Sequence, residues 1–335
     1  MIIKRLQNKE YNLLSKYINN FYKKGHILSK YKKLFDWMYF DTKTKKYNFL
    51  IAKDKIRIIA TKGFQPLKLY DNNLGWETFI SMWSSTRPTA GIKLFDVILK
   101  KKYDFICGIG SSKYSLKYQK YKKFKIGQLK HSYLLSKKTN HYKIASISNY
   151  PRNLKNSFFG KEYIKLNSEL LRSKELQSLY DYQTPQKSSL YLINRYLNSK
   201  FYNYYAYGSL KNNRIINIVI LRNCNYKKKT AVRIIDYIGS NYSFKYLDKL
   251  FHKILEKKKV EYIDLYSFGI PDKEILKCGF KIKNSKDKNI IPNYFEPFER
   301  KNKSIIFGYL LKKKIKNQIR LFKGDSDMDR PNRLK

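Results

Sequence analysis

The sequence predicts a mixed α/β protein built from two similar halves. Short apolar runs typical of buried strands alternate with segments of helical periodicity, and the order of these elements recurs after a polar stretch at residues 136–156. Strands alternating with helices favour a mixed sheet covered by the helices. At roughly 150 residues per domain, the 335 residues leave room for two cores. We therefore expect an N-terminal domain over residues 1–140 and a C-terminal domain over residues 141–335.

The first half is predicted to contain a helix, a hairpin, a turn, a second helix and a strand, in that order. The periodic positions Tyr11, Leu14 and Ile18 indicate a helix within Lys9–Lys24, which Gly25 ends. The remaining elements are a hairpin of Tyr47–Ala52 and Ile56–Thr61, an apolar segment Trp76–Trp83, a turn Arg87–Gly91, a helix Ile92–Lys102 and a buried strand Phe105–Ile109.

The second half repeats this order. Its predicted helices are Lys161–Tyr180, Ser188–Leu197 and Ser243–Lys258, and its predicted strands are Phe201–Tyr207, Ile215–Leu221, Ala231–Ile238 and Val260–Phe268.

Charge is the unusual feature of the composition. The chain has 72 Lys and Arg against 25 Asp and Glu, a formal net charge of +47. Such a charge favours nucleic acid or an anionic membrane surface as a partner. Most of the basic residues are lysine, however, whereas sites that read phosphates and bases prefer the bidentate arginine. We therefore expect solvated lysine faces, no sequence-specific nucleic-acid binding, and at most peripheral contact with an anionic membrane.

The cysteines and the N-terminus bear on the compartment. The three cysteines are far apart in sequence and form no metal-binding motif, which predicts a reducing, cytoplasmic environment and no structural zinc. Cys107 and Cys278 lie in apolar contexts and are expected in the core. Residues 1–10 lack the apolar run of a signal peptide.

The turn Arg87–Gly91 is the best candidate for a phosphate site. The first N–H groups of a helix have no intrahelical partner and carry the positive end of the helix dipole, so a turn that opens a helix can bind an anion. The candidate residues are Arg87, Thr89, Ala90, Gly91 and Ile92. The alternative is an ordinary turn between strand and helix. The corresponding turn of the second half, at Gly239, is a weaker candidate.

Several segments resemble one family. They are SSTRPTAGIKLFDVIL (84–99), ILKCGF (275–280), IPNYFEPFERKN (291–302) and FKGDSDMDRPN (322–332). With the tandem pattern, they make the chain similar to the tandem GNAT-superfamily acyltransferases, related to Fem-type aminoacyl transferases, of bacterial surface-polysaccharide and glycan biosynthesis. The resemblance implies two GNAT-like domains, acetyl-CoA or another acyl-CoA as donor, and a small sugar as acceptor.

Two departures from that pattern affect the site residues. The family's pyrophosphate loop is matched imperfectly, because Thr89 stands at its first glycine and Arg87 one place late. In the second half, Ile275 stands where the family has the tyrosine that protonates the thiolate. In the first half, Tyr118 and Tyr121 have nearly the spacing that the family pattern requires. Acyl transfer also needs an uncharged amine. Glu77 is the candidate base, with an exposed structural glutamate as the alternative.

The acidic ending is the last candidate site. Asp325, Asp327 and Asp329 alternate and precede Arg330, so an extended segment would present one acidic edge. The edge could bind a divalent cation, but the glycine and glutamate of a calcium loop are missing and we expect no metal. It could instead hold a cationic or hydroxyl-rich acceptor, or tie a tail to the basic body. We expect it beside the acceptor cleft.

These observations predict a cytoplasmic, CoA-dependent N-acyltransferase acting on an amino sugar or nucleotide-linked sugar in surface-glycan biosynthesis. One alternative is a Fem-like aminoacyl transferase. The other, from a different class, is a GNAT-shaped protein without catalysis that binds nucleic acid or an anionic surface.

Overall fold

The computed structural model describes residues 1–139, 141–150 and 158–332. The α-helices are α1 (Tyr11–Tyr17), α2 (Ile27–Lys30), α3 (Lys32–Tyr39), α4 (Pro88–Leu99), α5 (Lys113–Tyr121), α6 (Ser168–Arg172), α7 (Ser189–Leu192), α8 (Asp248–Leu255) and α9 (Asp272–Lys277). Shorter 3₁₀ turns are Asn8–Glu10, Leu67–Leu69, Lys174–Asp181 and Phe244–Leu247, and π-helical turns are Ile18–Tyr22 and Ile193–Leu197.

The strands up to the middle of the chain are β1 (Ile2–Arg5), β2 (Phe40–Asp41), β3 (Lys46–Tyr47), β4 (Phe49–Asp54), β5 (Arg57–Pro66), β6 (Glu77–Ser85), β7 (Phe105–Ile109), β8 (Lys125–Gln128), β9 (Lys130–Leu135), β10 (Glu162–Leu166) and β11 (Gln183–Thr184). They are followed by β12 (Tyr204–Lys211), β13 (Arg214–Ile215), β14 (Asn217–Tyr226), β15 (Lys229–Gly239), β16 (Val260–Phe268), β17 (Lys281–Ile282), β18 (Tyr294–Phe295), β19 (Phe298–Glu299), β20 (Ile306–Leu311), β21 (Gln318–Ile319) and β22 (Leu321–Phe322).

The chain folds into two compact units, and neither is continuous in sequence. The first unit comprises Met1–Gly127, Ile306–Lys314 and the described part of Ser326–Lys335. The second comprises the described parts of Gln128–Ile305, together with Ile315–Asp325. The sequence places a boundary after residue 140, which itself lies outside the described residues. Residues 306–314 join the first unit because β20 pairs antiparallel with β7 over five residue pairs.

The first unit is built on a seven-stranded sheet in the order β1-β4-β5-β6-β7-β20-β8. Helix α4 covers one face, where Phe64, Leu94 and Phe95 belong to one buried cluster. Helix α3 covers the other face, since a Cβ on Gly63 would lie 2.9 Å from the ring of Tyr39. Adjacent strand residues point to opposite faces, so Gly63 and Phe64 mark the two sides.

Local sequence explains the elements at the centre of this unit. Pro88 is the first residue of α4, where its missing N–H costs no hydrogen bond. The apolar spacing of Ala90, Leu94 and Ile98 buries one face of that helix. All five residues of β7 are buried, as expected of a parallel strand covered on both faces. The hydroxyl of Ser112 caps α5 by accepting a hydrogen bond from the Ser115 N–H.

The second unit has a nine-stranded sheet whose main order is β10-β12-β14-β15-β16-β9-β17. Strand β15 runs parallel to β16, and α8 lies between them in sequence, as α4 lies between β6 and β7. Both units therefore contain strand, helix and parallel strand in the predicted mixed α/β arrangement. Phe251 and Leu255 of α8 pack in the core of this unit.

Most predicted elements are confirmed, and three expectations are wrong. Phe105–Ile109 and Val260–Phe268 have the predicted bounds. The long helix Lys161–Tyr180 is instead β10 followed by α6 and a 3₁₀ turn, because Glu162–Leu166 pairs with β12. Helix α4 begins at Pro88, not Ile92. The acidic ending is not extended: residues 323–329 form successive turns, with Ser326 at a φ of 59°.

Two negative findings concern the described residues only. None of their helices combines the length and the apolar character needed to cross a bilayer. No group of three or more His, Cys, Asp or Glu in the described ranges is arranged to hold a metal ion. The three cysteines are buried and form no disulfide bond within the described residues, and Cys107 and Cys278 lie in the core as predicted.

Candidate active site in the first unit

Strands β6 and β7 of the first unit diverge in the middle of the sheet. They pair in parallel from Glu77 with Phe105 to Ile80 with Gly108, and the pairing ends there. Strand β6 continues beside β5 to Ser85. Its register shifts between Lys62 and Gly63, and Met82 is the extra residue of this β-bulge with a φ of 37°. Such a bulge bends a strand and leaves one peptide outside the ladder.

A cavity lies at the end of β6, between α4 and α5. Its volume is about 630 Å³, within the usual range of small-molecule sites. Strand β6 and helix α4 contribute Trp83, Ser84, Ser85, Pro88, Gly91 and Ile92, and α5 with its cap contributes Ser112, Tyr114, Lys117, Tyr118 and Tyr121. Four of these side chains are aromatic, and Lys117 is the cation among them. The cavity therefore suits a ligand with a flat or apolar part and an anionic part.

Of the predicted phosphate-binding residues, Gly91 and Ile92 line this cavity, whereas Arg87, Thr89 and Ala90 are not among its lining residues. Ala90 and Gly91 direct their N–H groups to the carbonyl of Arg87, which leaves fewer amides for an anion than the expected loop would. The exposed Arg87 side chain is 2.7 Å from Asp54 in an ion pair. Thr89 is on the first turn of α4, and Ile92 is exposed at the cavity. An anion here would be held mainly by the side chains of Arg87 and Lys117.

Gly91 serves packing between helix and strand. A Cβ at this position would lie 2.9 Å from the Ser85 Cβ and 3.1 Å from the Trp83 Nε1. The same indole N–H donates a hydrogen bond of 3.0 Å to the Gly91 carbonyl. The glycine therefore lets α4 approach the end of β6 closely and fixes one wall of the cavity.

Tyr118 lines the cavity, and its hydroxyl proton is held in a hydrogen bond. Its hydroxyl donates a hydrogen bond of 2.8 Å to Asp96, which also pairs with Lys122 at 2.8 Å. Burial, together with the hydrogen bond to Asp96, raises the pKa of Tyr118 to about 12. A phenol with that pKa keeps its proton at neutral pH and gives it up reluctantly.

Glu77 is not among the residues that line the cavity. It is the first residue of β6, whereas Trp83, Ser84 and Ser85 at the other end of the strand form the wall. Six residues at about 3.3 Å each put it roughly 20 Å from Trp83 along the strand. Its side chain is buried, so the alternative of an exposed structural glutamate is wrong.

Part of the acidic ending lies in the first unit, at the opening where β6 and β7 diverge. The Ser326 hydroxyl donates to the carbonyl of Ile80, the last β6 residue paired with β7. Asp327 follows, with 12% of its side chain exposed, and its carboxylate is 3.5 Å from Arg330. The negative charge of Asp327 favours a higher pKa for both Tyr39 and Lys62, which lie on opposite faces of the sheet. The Asp327 carboxylate therefore lies near the gap between β6 and β7.

A histidine and a tyrosine adjoin this acidic segment. Arg330 Nη2 is 3.1 Å from His26 Nε2, and burial with the nearby guanidinium lowers the pKa of His26 to about 3. The imidazole is therefore uncharged at neutral pH. Tyr39 forms a hydrogen bond of 2.8 Å with Ser81, the residue after Ile80. Asp329 is buried in the same segment.

Asp325 has a separate environment in the second unit. Lys187 is 2.7 Å from Asp236 and 2.8 Å from Asp325, and all three side chains are fully buried. The Tyr196 hydroxyl donates to Asp236 at 2.7 Å. Burial raises the pKa of Asp325 to about 6, although the Lys187 ammonium opposes the rise. The expected single acidic edge is therefore wrong: Asp325 and Asp327 have different partners.

In the second unit, the chain itself fills the gap that corresponds to the β6–β7 opening. Strands β15 and β16 pair as far as Ile234 and Leu265, and β22 then pairs with Ser267 and Phe268 of β16. The Gly324 N–H donates to the Ile235 carbonyl of β15 at 2.9 Å. At the turn that follows β15, Arg320 donates to the Gly239 carbonyl and to the Asn241 side chain. The Gly239 turn is thus capped by an internal cation.

Three residues near the β6–β7 opening were not predicted from the sequence. Lys62 and Tyr39 carry no motif, and His26 has no spaced partner. One signal was present: Lys62 stands in the apolar run of β5, where a lysine is rarely buried.

No protein-family model and no curated protein matches the sequence. The fold is nevertheless that of the GCN5-related N-acetyltransferases. A candidate acetyltransferase from Pyrococcus horikoshii is similar over 95% of this chain and 91% of its own, with a TM-score of 0.50 and 11% identity. A GCN5-related N-acetyltransferase from Anabaena variabilis is similar over 91% of this chain and 72% of its own, also with a TM-score of 0.50 and 11% identity. The resemblance to this superfamily is therefore confirmed at the level of the fold.

Proposed function

We propose that the protein is an N-acyltransferase that takes its acyl group from acyl-CoA in the cavity of the first unit. The divergence of β6 from β7 beyond Ile80, with a cavity at the end of β6 and the start of α4 on its wall, carries the proposal. The structural relatives are named as acetyltransferases, which supports an acyl-CoA donor. Arg87 and Lys117 would hold phosphate groups, and the aromatic wall would contact the less polar parts of the donor.

The chemistry requires a neutral amine, a polarised thioester carbonyl and a proton for the departing thiol. We assign the polarising role to the backbone around the Met82 bulge, where β6 leaves the regular ladder. Asp327 near the gap would attract the cationic form of the acceptor. These roles need no metal.

The second part of the proposal concerns the chemical identity of the acceptor. The resemblance of the terminal segments favours an amino sugar, free or linked to a nucleotide, in surface-glycan assembly in the cytoplasm. A Fem-like aminoacyl transfer is a variant with a different donor. The net charge of +47 favours a rival from another class, in which the protein binds RNA or an anionic surface without catalysis.

Calorimetric titration with acetyl-CoA tests the donor. We expect saturable binding that Arg87→Ala and Lys117→Ala each weaken about threefold to tenfold, since Lys117 is the cation of the cavity wall and Arg87 precedes the lining residue Pro88 at the start of α4. Lys93→Ala is the matched control, because Lys93 is exposed on α4 and does not line the cavity. Equal affinity in all four proteins would place the donor elsewhere.

Release of free thiol from acetyl-CoA tests transfer, with free and UDP-linked amino sugars as acceptors. Stimulation by one of these sugars supports the proposal. Aminoacyl-tRNA is a parallel arm and would identify the Fem-like variant. Failure to bind acetyl-CoA, together with RNA binding that persists at roughly 200 mM salt, would establish the non-catalytic rival.

A further inference from the structure

Lys62 is a buried lysine beside the β6–β7 opening, and no carboxylate of the described residues is in ion-pair contact with it. Its residue is only 3% exposed. Its Nζ lies 4.7 Å from the centre of the Phe95 ring and 5.5 Å from that of Trp83. Within the described residues its Nζ has neither a hydrogen bond nor an ion pair. A buried ammonium normally requires such partners, because removing it from water is costly.

Two other lysines are buried among the described residues, and both have partners: Lys323 donates a hydrogen bond of 2.7 Å to Asn293, and Lys187 has two carboxylates. Lys187 sits between Asp236 and Asp325 at 2.7 and 2.8 Å, and these carboxylates raise its pKa despite burial. Burial instead lowers the pKa of Lys62 to about 7, although the Asp327 carboxylate opposes the change. Around Lys62, Asp96 of α4 is occupied by Lys122 and Tyr118. Lys62 can therefore exist in both protonation states near neutral pH.

The position of Lys62 relates it to the proposed reaction. Lys62 pairs with Trp83 of β6, and the bulge at Met82 separates this pair from that of Gly63 with Ser81. Lys62 and Trp83 face α4, and Trp83 is also part of the cavity wall. Lys62 thus stands between the cavity wall and the gap marked by Asp327, where β6 has left β7.

We propose that Lys62 carries the proton of the transfer reaction, a role that rests on the proposed function. Neutral Nζ accepts a proton from the acceptor nitrogen as that nitrogen attacks the thioester carbonyl. A C–N bond forms, the C–S bond breaks with its electron pair on sulfur, and the Lys62 ammonium returns the proton to sulfur. An amine and an acyl-CoA become an amide and CoA thiol, and the lysine ends neutral.

Other groups of the first unit are less suited to this role. Tyr118 has a pKa of about 12 and donates its proton to Asp96. His26 has a pKa of about 3, so it is a weak base. Glu77 is at the opposite end of β6.

The test compares Lys62→Met and Lys62→Arg with the full-length wild type, using acetyl-CoA and glucosamine as probes. Lys68→Met is the matched control: Lys68 also faces an aromatic ring, with its Nζ 4.2 Å from the centre of Trp76, whereas Lys62 faces Trp83, which is part of the cavity wall. We expect both Lys62 variants to lose about 10²-fold or more in kcat/KM while acetyl-CoA affinity persists. Deprotonation of the acceptor amine makes kcat/KM rise with pH in every variant. The wild type should show a further rise through about pH 7 from Lys62, and this second rise should be absent in Lys62→Met.

Three results would overturn the proposal. An unchanged pH profile in Lys62→Met would remove Lys62 from the proton path. Full activity of Lys62→Arg would show that a fixed positive charge is sufficient. Acetylated Lys62 after incubation with acetyl-CoA alone would make it a nucleophile. Absence of acetyl-CoA binding in the wild type would refute the proposed function and is distinguishable from all three.

A measurement without any ligand checks the state of Lys62 independently. Its folded-state pKa is below its unfolded value, so the cost of burying the charge is present below about pH 7 and is relieved as pH rises toward the unfolded pKa of 10.5. Lys62→Met should therefore raise the melting temperature most below pH 7 and progressively less above it. A pH-independent difference would contradict the titration on which the proposal depends.

Discussion

The hydroxyl of Ser326 donates a hydrogen bond of 3.3 Å to the carbonyl of Ile80. Ile80 ends the pairing of β6 with β7, so this contact fixes the acidic segment where the sheet opens. Asp327 comes next and brings a carboxylate to the gap. In the corresponding gap of the second unit, β22 and Gly324 occupy the space.

Asp327→Asn should lower kcat/KM for acetyl transfer by about 10²-fold and leave acetyl-CoA affinity within about twofold. The substitution removes the charge that would attract the acceptor and support Lys62, but it keeps the shape of the side chain. Steady-state kinetics and titration calorimetry separate the two effects. Asp41→Asn is the control, because Asp41 is the half-buried last residue of β2 and is not a lining residue of the cavity. Equal kinetics in both variants would reduce Asp327 to a structural residue.

Gly91→Ala should destabilise the protein by roughly 1–3 kcal/mol, because the new Cβ would meet Ser85 and Trp83 in a packed interface. Urea unfolding measures this cost. Gly75→Ala is the matched control, since a Cβ there would meet nothing within 4 Å. Acetyl-CoA affinity should fall only in the Gly91 variant, as its cavity wall moves. Equal stability of the two variants would contradict the close approach of α4 to β6.

Tyr118→Phe should reduce kcat less than about tenfold, because the Tyr118 proton is held by Asp96 and its pKa is raised to about 12. Phenylalanine preserves the aromatic wall. Thiol release across a range of pH provides the measurement. A loss of about 10³-fold, with disappearance of the alkaline limb, would instead make Tyr118 the proton donor to the thiolate.

Lys187→Met should destabilise the second unit by about 3–5 kcal/mol near pH 8, because two buried carboxylates lose their shared ammonium. The loss should be smaller near pH 5. The folded-state pKa of Asp325 is raised from 3.8 to about 6, so the folded state binds this proton more tightly and stability is lost as pH rises from about 3.8 to about 6. Near pH 5 Asp325 is therefore mostly protonated, and Lys187 has one carboxylate fewer to neutralise. Urea unfolding at both pH values tests this.

Lys130→Met is the control for the buried ion pair. Lys130 pairs with Asp272 at 2.7 Å, but about half of each side chain is exposed. Such a pair contributes about 0–1 kcal/mol. Equal losses of stability in Lys187→Met and Lys130→Met would show that the buried carboxylates do not depend on the Lys187 ammonium.

The strands Phe105–Ile109 and Val260–Phe268 were predicted with their observed bounds. Both strands are buried on both faces; the first is apolar throughout, and the second is apolar except for Glu261, Asp264 and Ser267. Glu162–Leu166 was predicted as helix because its local pattern is ambiguous, and pairing with β12 decided its structure. Local periodicity cannot report a partner that lies about 40 residues away.

The sequence by itself determined the mixed α/β class, the recurring strand and helix order, and the turn at Arg87–Gly91 that borders the cavity. Only the tertiary structure decided which acids act together. Asp325 and Asp327 are two residues apart, but the turn at Ser326 gives one to Lys187 and the other to the β6–β7 gap. The environment of Lys62 was not predictable from the sequence either. An ammonium loses its water and its ordinary pKa only when segments distant in sequence enclose it, and the spacing of residues along the chain does not encode that enclosure.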